Sequence, residues 1–224
     1  KYPNLKKIIV PNNVYVAAWN SFLFSGGWEF EVIDANEHTW NIDHSKIKDG
    51  GKDTAFLAVH NLGNIINVPA LKKRFPEMLI VEDDCEGLFG KYDGKYSGTE
   101  SLISSLSFFG NKTITSGEGG AVITADEEIF EYLNSIRGQG QSSMRYIHDK
   151  LGYNYRMTNI QAALLYGQLM ILDEIREKKS AVFELYKNEL SGIDEISFQQ
   201  LEPGTEHAQW MFGIRLNKFD FVKK

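Results

Sequence analysis

Lys112 stands alone as a basic residue in Ser107-Phe108-Phe109-Gly110-Asn111-Lys112-Thr113-Ile114-Thr115, between two apolar runs. An ammonium set among buried strands costs free energy unless it is paired or made neutral. A neutral lysine is a nucleophile that condenses with an aldehyde. About thirty residues upstream, Val81-Glu82-Asp83-Asp84 closes another apolar run with carboxylates. A carboxylate can keep a pyridine nitrogen protonated, and a protonated ring drains electrons from a substrate carbon. Ser107, on the same passage as the lysine, offers a hydroxyl that can donate to a phosphate. Amine, carboxylate and hydroxyl together point to pyridoxal phosphate.

Each residue has a plainer role when taken singly. Asp83 reads as a strand-end aspartate capping a turn, Lys112 as a solvated loop lysine and Ser107 as a satisfied strand serine. Their joint occurrence favours the cofactor. Gly117-Glu118-Gly119-Gly120 matches neither G-x-G-x-x-G nor G-x-x-x-x-G-K-[ST], so dinucleotide-fold and P-loop chemistry lose support. These glycines let the backbone bend and pass close to a cofactor before the next strand, or they form a hairpin loop.

The elements that must position these groups follow from the apolar pattern. Strand-length runs recur at Lys7 to Val10, Glu29 to Ile33, Ala55 to His60, Met78 to Val81, Leu102 to Phe109 and Ala121 to Thr124. Between them, Val14 to Phe24, Val68 to Phe75 and Asp126 to Arg137 have helical character. Runs apolar throughout predict strands covered on both faces, hence an α/β fold with a mostly parallel sheet sandwiched by helices. Asp83 then falls at the C-terminal end of a strand, where open α/β sheets bind ligands. Beyond Gly140 the chain turns polar. Ile160, Ala163, Leu164, Gly167, Ile171, Leu172 and Ile175 predict one long helix continuing through Phe183 and Tyr186. The expected organisation is a large α/β domain over 1–158, a long linking helix over 159–192 and the beginning of a small α+β domain over 193–224.

At 224 residues with a formal charge of −6, the chain has room for a substantial core and no electrostatic footprint for nucleic acid or an anionic membrane. Cys85 is the only cysteine and the five histidines show no ligand-like pairing, so no metal site is expected. No stretch approaches the roughly 20 apolar residues of a membrane span, and no signal peptide is visible. A cytoplasmic protein is expected. The chain opens at Lys1 and stops just after an apolar alternation, which reads as part of a longer polypeptide.

The series Val81-Glu82-Asp83, the run from Ser107 to Thr115 with Gly117-Glu118-Gly119-Gly120, then Gly138-Gln139-Gly140 and Gly152-Tyr153-Asn154-Tyr155-Arg156-Met157-Thr158, resembles the DegT/DnrJ/EryC1/StrS family of sugar aminotransferases. The resemblance covers nearly the whole chain. It implies an aspartate-aminotransferase-like fold (fold type I) and pyridoxal 5'-phosphate as cofactor. Lys112 then stands where the family lysine bonds the cofactor and shuttles a proton. Asp83 would pair with the pyridinium nitrogen, Glu86 would approach the ring hydroxyl, Ser107 would bind the phosphate and Tyr15 would stack on the ring. Asn154 resembles a residue that reaches the phosphate of a neighbouring subunit, which implies a homodimer with a shared site. His148 and Arg156 would meet the nucleotide or sugar.

The implied reaction moves nitrogen from glutamate to a nucleotide-linked 4-keto-6-deoxyhexose, with the phrases around Lys112 and from His148 to Thr158 favouring GDP-4-keto-6-deoxymannose. UDP-4-keto-6-deoxyglucose is the alternative. Rival readings are a 3-dehydratase of the same family, in which a histidine replaces the lysine, a non-catalytic cofactor-binding relative, and an NAD-binding reductase. The sequence departs from the family at His60-Asn61-Leu62-Gly63, where relatives commonly have His-Leu-Tyr-Gly.

Overall fold

The computed structural model describes residues 2 and 4–217. In chain order the elements are β1 (Lys7–Pro11), α1 (Ala17–Ser25), β2 (Glu29–Ile33), β3 (Thr54–Val59), α2 (Val68–Arg74), β4 (Leu79–Asp83), β5 (Lys91–Tyr92), β6 (Lys95–Tyr96), β7 (Ile103–Ser107) and β8 (Gly120–Ile123). They are followed by α3 (Glu127–Arg137), α4 (Asn159–Leu169), α5 (Leu172–Leu190), β9 (Ile196–Phe198), β10 (Thr205–Glu206) and β11 (Ile214–Leu216).

Six strands form one sheet in the order β2-β1-β3-β4-β7-β8, parallel throughout except for β8, which runs antiparallel to β7. The unbroken apolar runs explain the burial: β3 is buried at every position and β1 at all but its first. Alternate residues feed two cores. Ile8, Val10, Ala55, Leu57 and Val59 pack with Ala18 of α1 on one face. Ile9, Phe56, Ala58 and Ile80 pack with Val68 and Leu71 of α2 on the other. The expected sandwich of helices about a mostly parallel sheet is therefore present. Asn67 caps α2 by accepting from the Ala70 amide at 3.0 Å, and Asp126 caps α3 by accepting from Ile129 at 3.1 Å.

The C-terminal third differs from expectation in one respect. The helix foreseen over 159–192 is two helices, because Ile171 (φ −120°, ψ 26°) leaves helical geometry between α4 and α5. The apolar periodicity runs through this break, so it reads as continuous. Of the unit expected over 193–224, β9 and β11 pair with each other, whereas β10 adds to β5. Glu202 reaches further into the large unit, accepting from the Asn67 amide at 2.9 Å and facing His44 at 3.4 Å. Residues 218–224 of that expected unit lie outside the described residues. Among the described residues no helix is long and apolar enough to cross a membrane.

Candidate active site

A cavity of about 460 Å³ opens beside the C-terminal ends of β3, β4 and β7. Parallel strands pointing the same way bring their ends, and the loops that leave them, to one edge of the sheet. Tyr15, Asp83, Glu86, Ser107 and Lys112 all line it. Asp83 is in register with Val59 of β3 and Ser105 of β7, so strand pairing fixes its height at the sheet edge. Its Oδ1 accepts from the Cys85 amide at 3.2 Å. Ser107 Oγ accepts from the Phe109 amide at 3.3 Å, which leaves its own hydrogen free to donate.

Lys112 rides on the loop between β7 and β8, and that loop is anchored rather than free. The Lys112 amide donates to Phe109 O at 3.0 Å, and both Thr115 Oγ1 and the Ser116 amide donate to Phe108 O. Thr113 and Ile114 are buried beneath it. Gln168 of α4 clasps the loop at a second place, accepting from the Thr115 amide at 2.9 Å and donating to Thr115 O at 2.6 Å. The glycine run after Lys112 makes the close approach: Gly119 has φ +119°, and a Cβ at Gly120 would lie 2.5 Å from Leu106 O. Glu118 and Gly119 line the cavity. Lys112 itself is half-buried in a turn, and its ammonium is met by an aromatic face. Its Nζ lies 4.0 Å from the centre of the Trp210 ring.

Glu86 faces Lys112 from the turn after β4. Its Oε2 accepts from the Leu62 amide at 2.7 Å. Burial pushes its carboxyl up, while the Leu62 amide and the charge of Lys112 oppose the rise. Leu62 adopts the left-handed region (φ 59°) within His60-Asn61-Leu62-Gly63, and this turn aims its amide at Glu86. Asn61 lines the cavity and is fixed by the Asn41 side chain at 3.1 Å and by Trp40 O at 3.0 Å. Cys85 lies in the wall, where burial and the charge of Asp83 push its thiol up.

Three expected residues stand away from this cavity. Asn154 pairs with Gly138, and His148 pairs with Gln141 and meets Gln139 O through Nδ1 at 3.0 Å. Arg156 lines a separate polar hollow with Asn134, Arg137 and Ser142. Tyr155, stacked on Tyr153 with centroids 4.8 Å apart, is largely exposed on this segment. The residues that sequence reasoning missed are Trp210 and Asn61. Trp210 Nε1 donates to Asn111 O at 2.9 Å and Lys179 Nζ donates to Trp210 O at 3.2 Å, so the C-terminal segment closes the cavity wall.

The set of groups fits pyridoxal phosphate: a primary amine, a strand-end carboxylate, a free hydroxyl donor and apolar walls from Ala18 and Val59 around a volume suited to a small cofactor. A mostly parallel α/β sheet with lysine and aspartate at one edge defines an aspartate-aminotransferase-like protein of fold type I. The chain belongs to the DegT/DnrJ/EryC1/StrS aminotransferase family, whose pattern matches residues 4–224. That family is one of pyridoxal-phosphate-dependent sugar aminotransferases. The GDP-perosamine synthase of Escherichia coli O157:H7 is 35% identical over 93% of this chain, and the chain spans 58% of that protein's length. Streptomyces venezuelae DesV superposes with a TM-score of 0.83 at 29% identity, over 96% of this chain and 59% of its own. The E. coli GDP-4-keto-6-deoxy-D-mannose-3-dehydratase, solved with bound hydrated PLP, gives a TM-score of 0.83 at 26% identity, over 99% and 63%.

Proposed function

We propose that the protein transfers the amino group of glutamate to GDP-4-keto-6-deoxymannose, yielding GDP-perosamine and 2-oxoglutarate, as a cytoplasmic homodimer that supplies cell-surface polysaccharide synthesis. The observation that carries this reading is the placing of Lys112 and Asp83 in one cavity at the ends of adjoining strands. The likeness to the E. coli perosamine synthase supplies the sugar and the nucleotide.

Bound pyridoxal phosphate would supply a carbonyl for the incoming amine and a ring that accepts electrons from the substrate carbon. Asp83 would hold the ring nitrogen as a cation, Ser107 would donate to the phosphate, Glu86 would face the ring hydroxyl, and Tyr15 at the mouth would cover the ring. Lys112 would have two tasks: its amine would hold the cofactor to the chain, and it would take and return the proton at the reacting carbon. Nitrogen leaves glutamate as its α-carbon becomes a ketone, and it reaches the sugar as the C4 oxygen departs as water. A histidine at the position of Lys112, as in the dehydratase reading, would lack the attaching amine, so Lys112 favours transamination. His148, Arg156 and Asn154 would serve the site of a second subunit, reaching its sugar nucleotide and phosphate.

The test is turnover by the full-length protein with glutamate and either GDP-4-keto-6-deoxymannose or UDP-4-keto-6-deoxyglucose. Amination of the GDP sugar alone supports the proposal. Equal use of both defeats the GDP preference, and use of neither defeats the activity.

A further inference from the structure

Glu82 on β4 and Asp84 just beyond its end flank Asp83, and both are shut off from solvent, at 0% and 1% exposure. His60, also 0% exposed, stands against them: its Nε2 is 2.9 Å from Glu82 Oε2 and 3.6 Å from Asp84 Oδ1. Burial works against an imidazolium here, and the neighbouring carboxylates work for it. The hydrogen bonds decide the matter. The Ile66 amide donates to His60 Nδ1 at 3.1 Å, which an imidazolium could not accept, so the ring is neutral with its proton on Nε2, directed at Glu82.

The two carboxyls are treated very differently. Burial pushes Glu82 up, but hydrogen bonds from His60 and from the Gly98 amide at 2.9 Å more than offset it and hold the carboxylate below its ordinary value. Neither oxygen of Asp84 has a hydrogen-bond partner, and neither does the buried hydroxyl of Ser104 beside it. Gly98 leaves the room they occupy: a Cβ there would come 2.8 Å from Ser104 Oγ and 3.2 Å from Asp84 Oδ2. The groups turned toward Asp84 are His60 from the end of β3, Glu82 and Asp83 from β4, Ser104 from β7, and Ser97, whose hydroxyl is given to Gly87 O. Burial pushes the Asp84 carboxyl well up from its ordinary value, the charges of Glu82 and Asp83 add to the rise, and a neutral His60 supplies no charge to oppose it.

We propose that Asp84, held without a hydrogen-bond partner behind Asp83, is a positioning residue whose proton sets how firmly Asp83 holds a cationic ring nitrogen. Coupling between two charges is reciprocal. Because the charge of Asp83 resists ionisation of Asp84, an ionised Asp84 deepens the negative potential at Asp83 and strengthens its grip on a cation. Glu82, pinned by His60, keeps its charge and leaves Asp84 as the member that titrates. The inference rests on the cofactor reading above.

The experiment loads the full-length protein with pyridoxal phosphate labelled with 15N in the ring and follows the ring-nitrogen chemical shift across neutral pH. In wild type the shift should move through a titration at or above neutrality, and in Asp84→Asn it should stay flat. A bound cofactor whose shift is flat in wild type, or moves equally in Asp84→Asn, overturns the inference and leaves the cofactor reading intact. Failure to bind the cofactor overturns both. Should Asp84→Asn not fold, the infrared carbonyl band of a buried protonated carboxyl in wild type carries the test. The band should fade as the pH rises through neutrality, and a band that is absent or unchanged rejects the proposal.

Discussion

The Lys112 ammonium lies over the face of Trp210, 4.0 Å from the ring centre, although the two residues are far apart in the sequence. A cation over an indole gains about 1 kcal/mol when partly desolvated, enough to orient a flexible side chain. Trp210→Leu should therefore slow attachment of pyridoxal phosphate to Lys112 by about 5-fold, while Trp210→Phe, which keeps an aromatic face, should stay within about 2-fold. Stopped-flow absorption of the full-length apoenzyme mixed with cofactor reads this directly. Equal rates in all three proteins would sever Trp210 from the lysine.

Lys112→Arg keeps the charge and the contact with Trp210 but cannot condense with an aldehyde under these conditions. Its turnover should fall by about 10³-fold or more, as should that of Lys112→Ala. Borohydride should fix the cofactor to the wild-type chain and to neither variant. Single-turnover amination of the keto sugar and mass spectrometry of the reduced protein make the two measurements.

Burial lowers His207 to about 4, with its Nδ1 accepting from the Gln209 amide at 2.8 Å. The unfolded imidazole titrates near about 6.5, so between these values the unfolded chain binds a proton that the folded chain refuses. The stability involved is fully present above about pH 6.5 and is lost as the pH falls toward about 4, by up to about 3 kcal/mol. Asp84 acts in the opposite sense over an overlapping range, because the folded chain keeps a proton that the unfolded chain has released. The comparison is therefore between wild type and His207→Gln in urea titrations at successive pH values. The variant's stability relative to wild type should improve steadily on acidification, and a constant difference would refute the assignment.

The exposed segment bearing His148, Asn154 and Arg156 leads to a complementation test of the proposed dimer. Lys112→Ala and Asn154→Ala should each lower activity on their own. Mixed and refolded together, they should recover a fraction of wild-type turnover, since some dimers then hold one site with both residues intact. No recovery, with dimers shown to have exchanged subunits, would confine Asn154 to its own chain.

The sheet was legible because parallel strands buried on both faces are written as unbroken apolar runs, and Thr54–Val59 is the plainest of them. Lys112, Asp83 and Ser107 were legible because polar groups at the ends of such runs must gather at one sheet edge. Trp210 was not, since it reads as one apolar member of an alternating strand and only the path of the C-terminal segment brings it to Lys112. The division of labour within Glu82-Asp83-Asp84 was also hidden. Three consecutive acids look alike until packing shows that His60 takes one, leaves another without a hydrogen bond and lets the third reach the cavity. The break at Ile171 escaped notice because both helices keep the same apolar stripe.

The clasp between Gln168 and Thr115 has a mechanical consequence. By offering an acceptor and a donor to one residue's backbone, the carboxamide of Gln168 imitates a neighbouring strand, and the lysine-bearing loop is in effect stitched to α4 as an edge would be to a sheet. Thr115 can change its side chain without loosening the stitch. Gln168 has no such latitude, because glutamate lacks the donor, and asparagine falls one methylene short. A displacement of α4 would therefore tug the loop that carries Lys112, giving the helix a lever arm on the lysine.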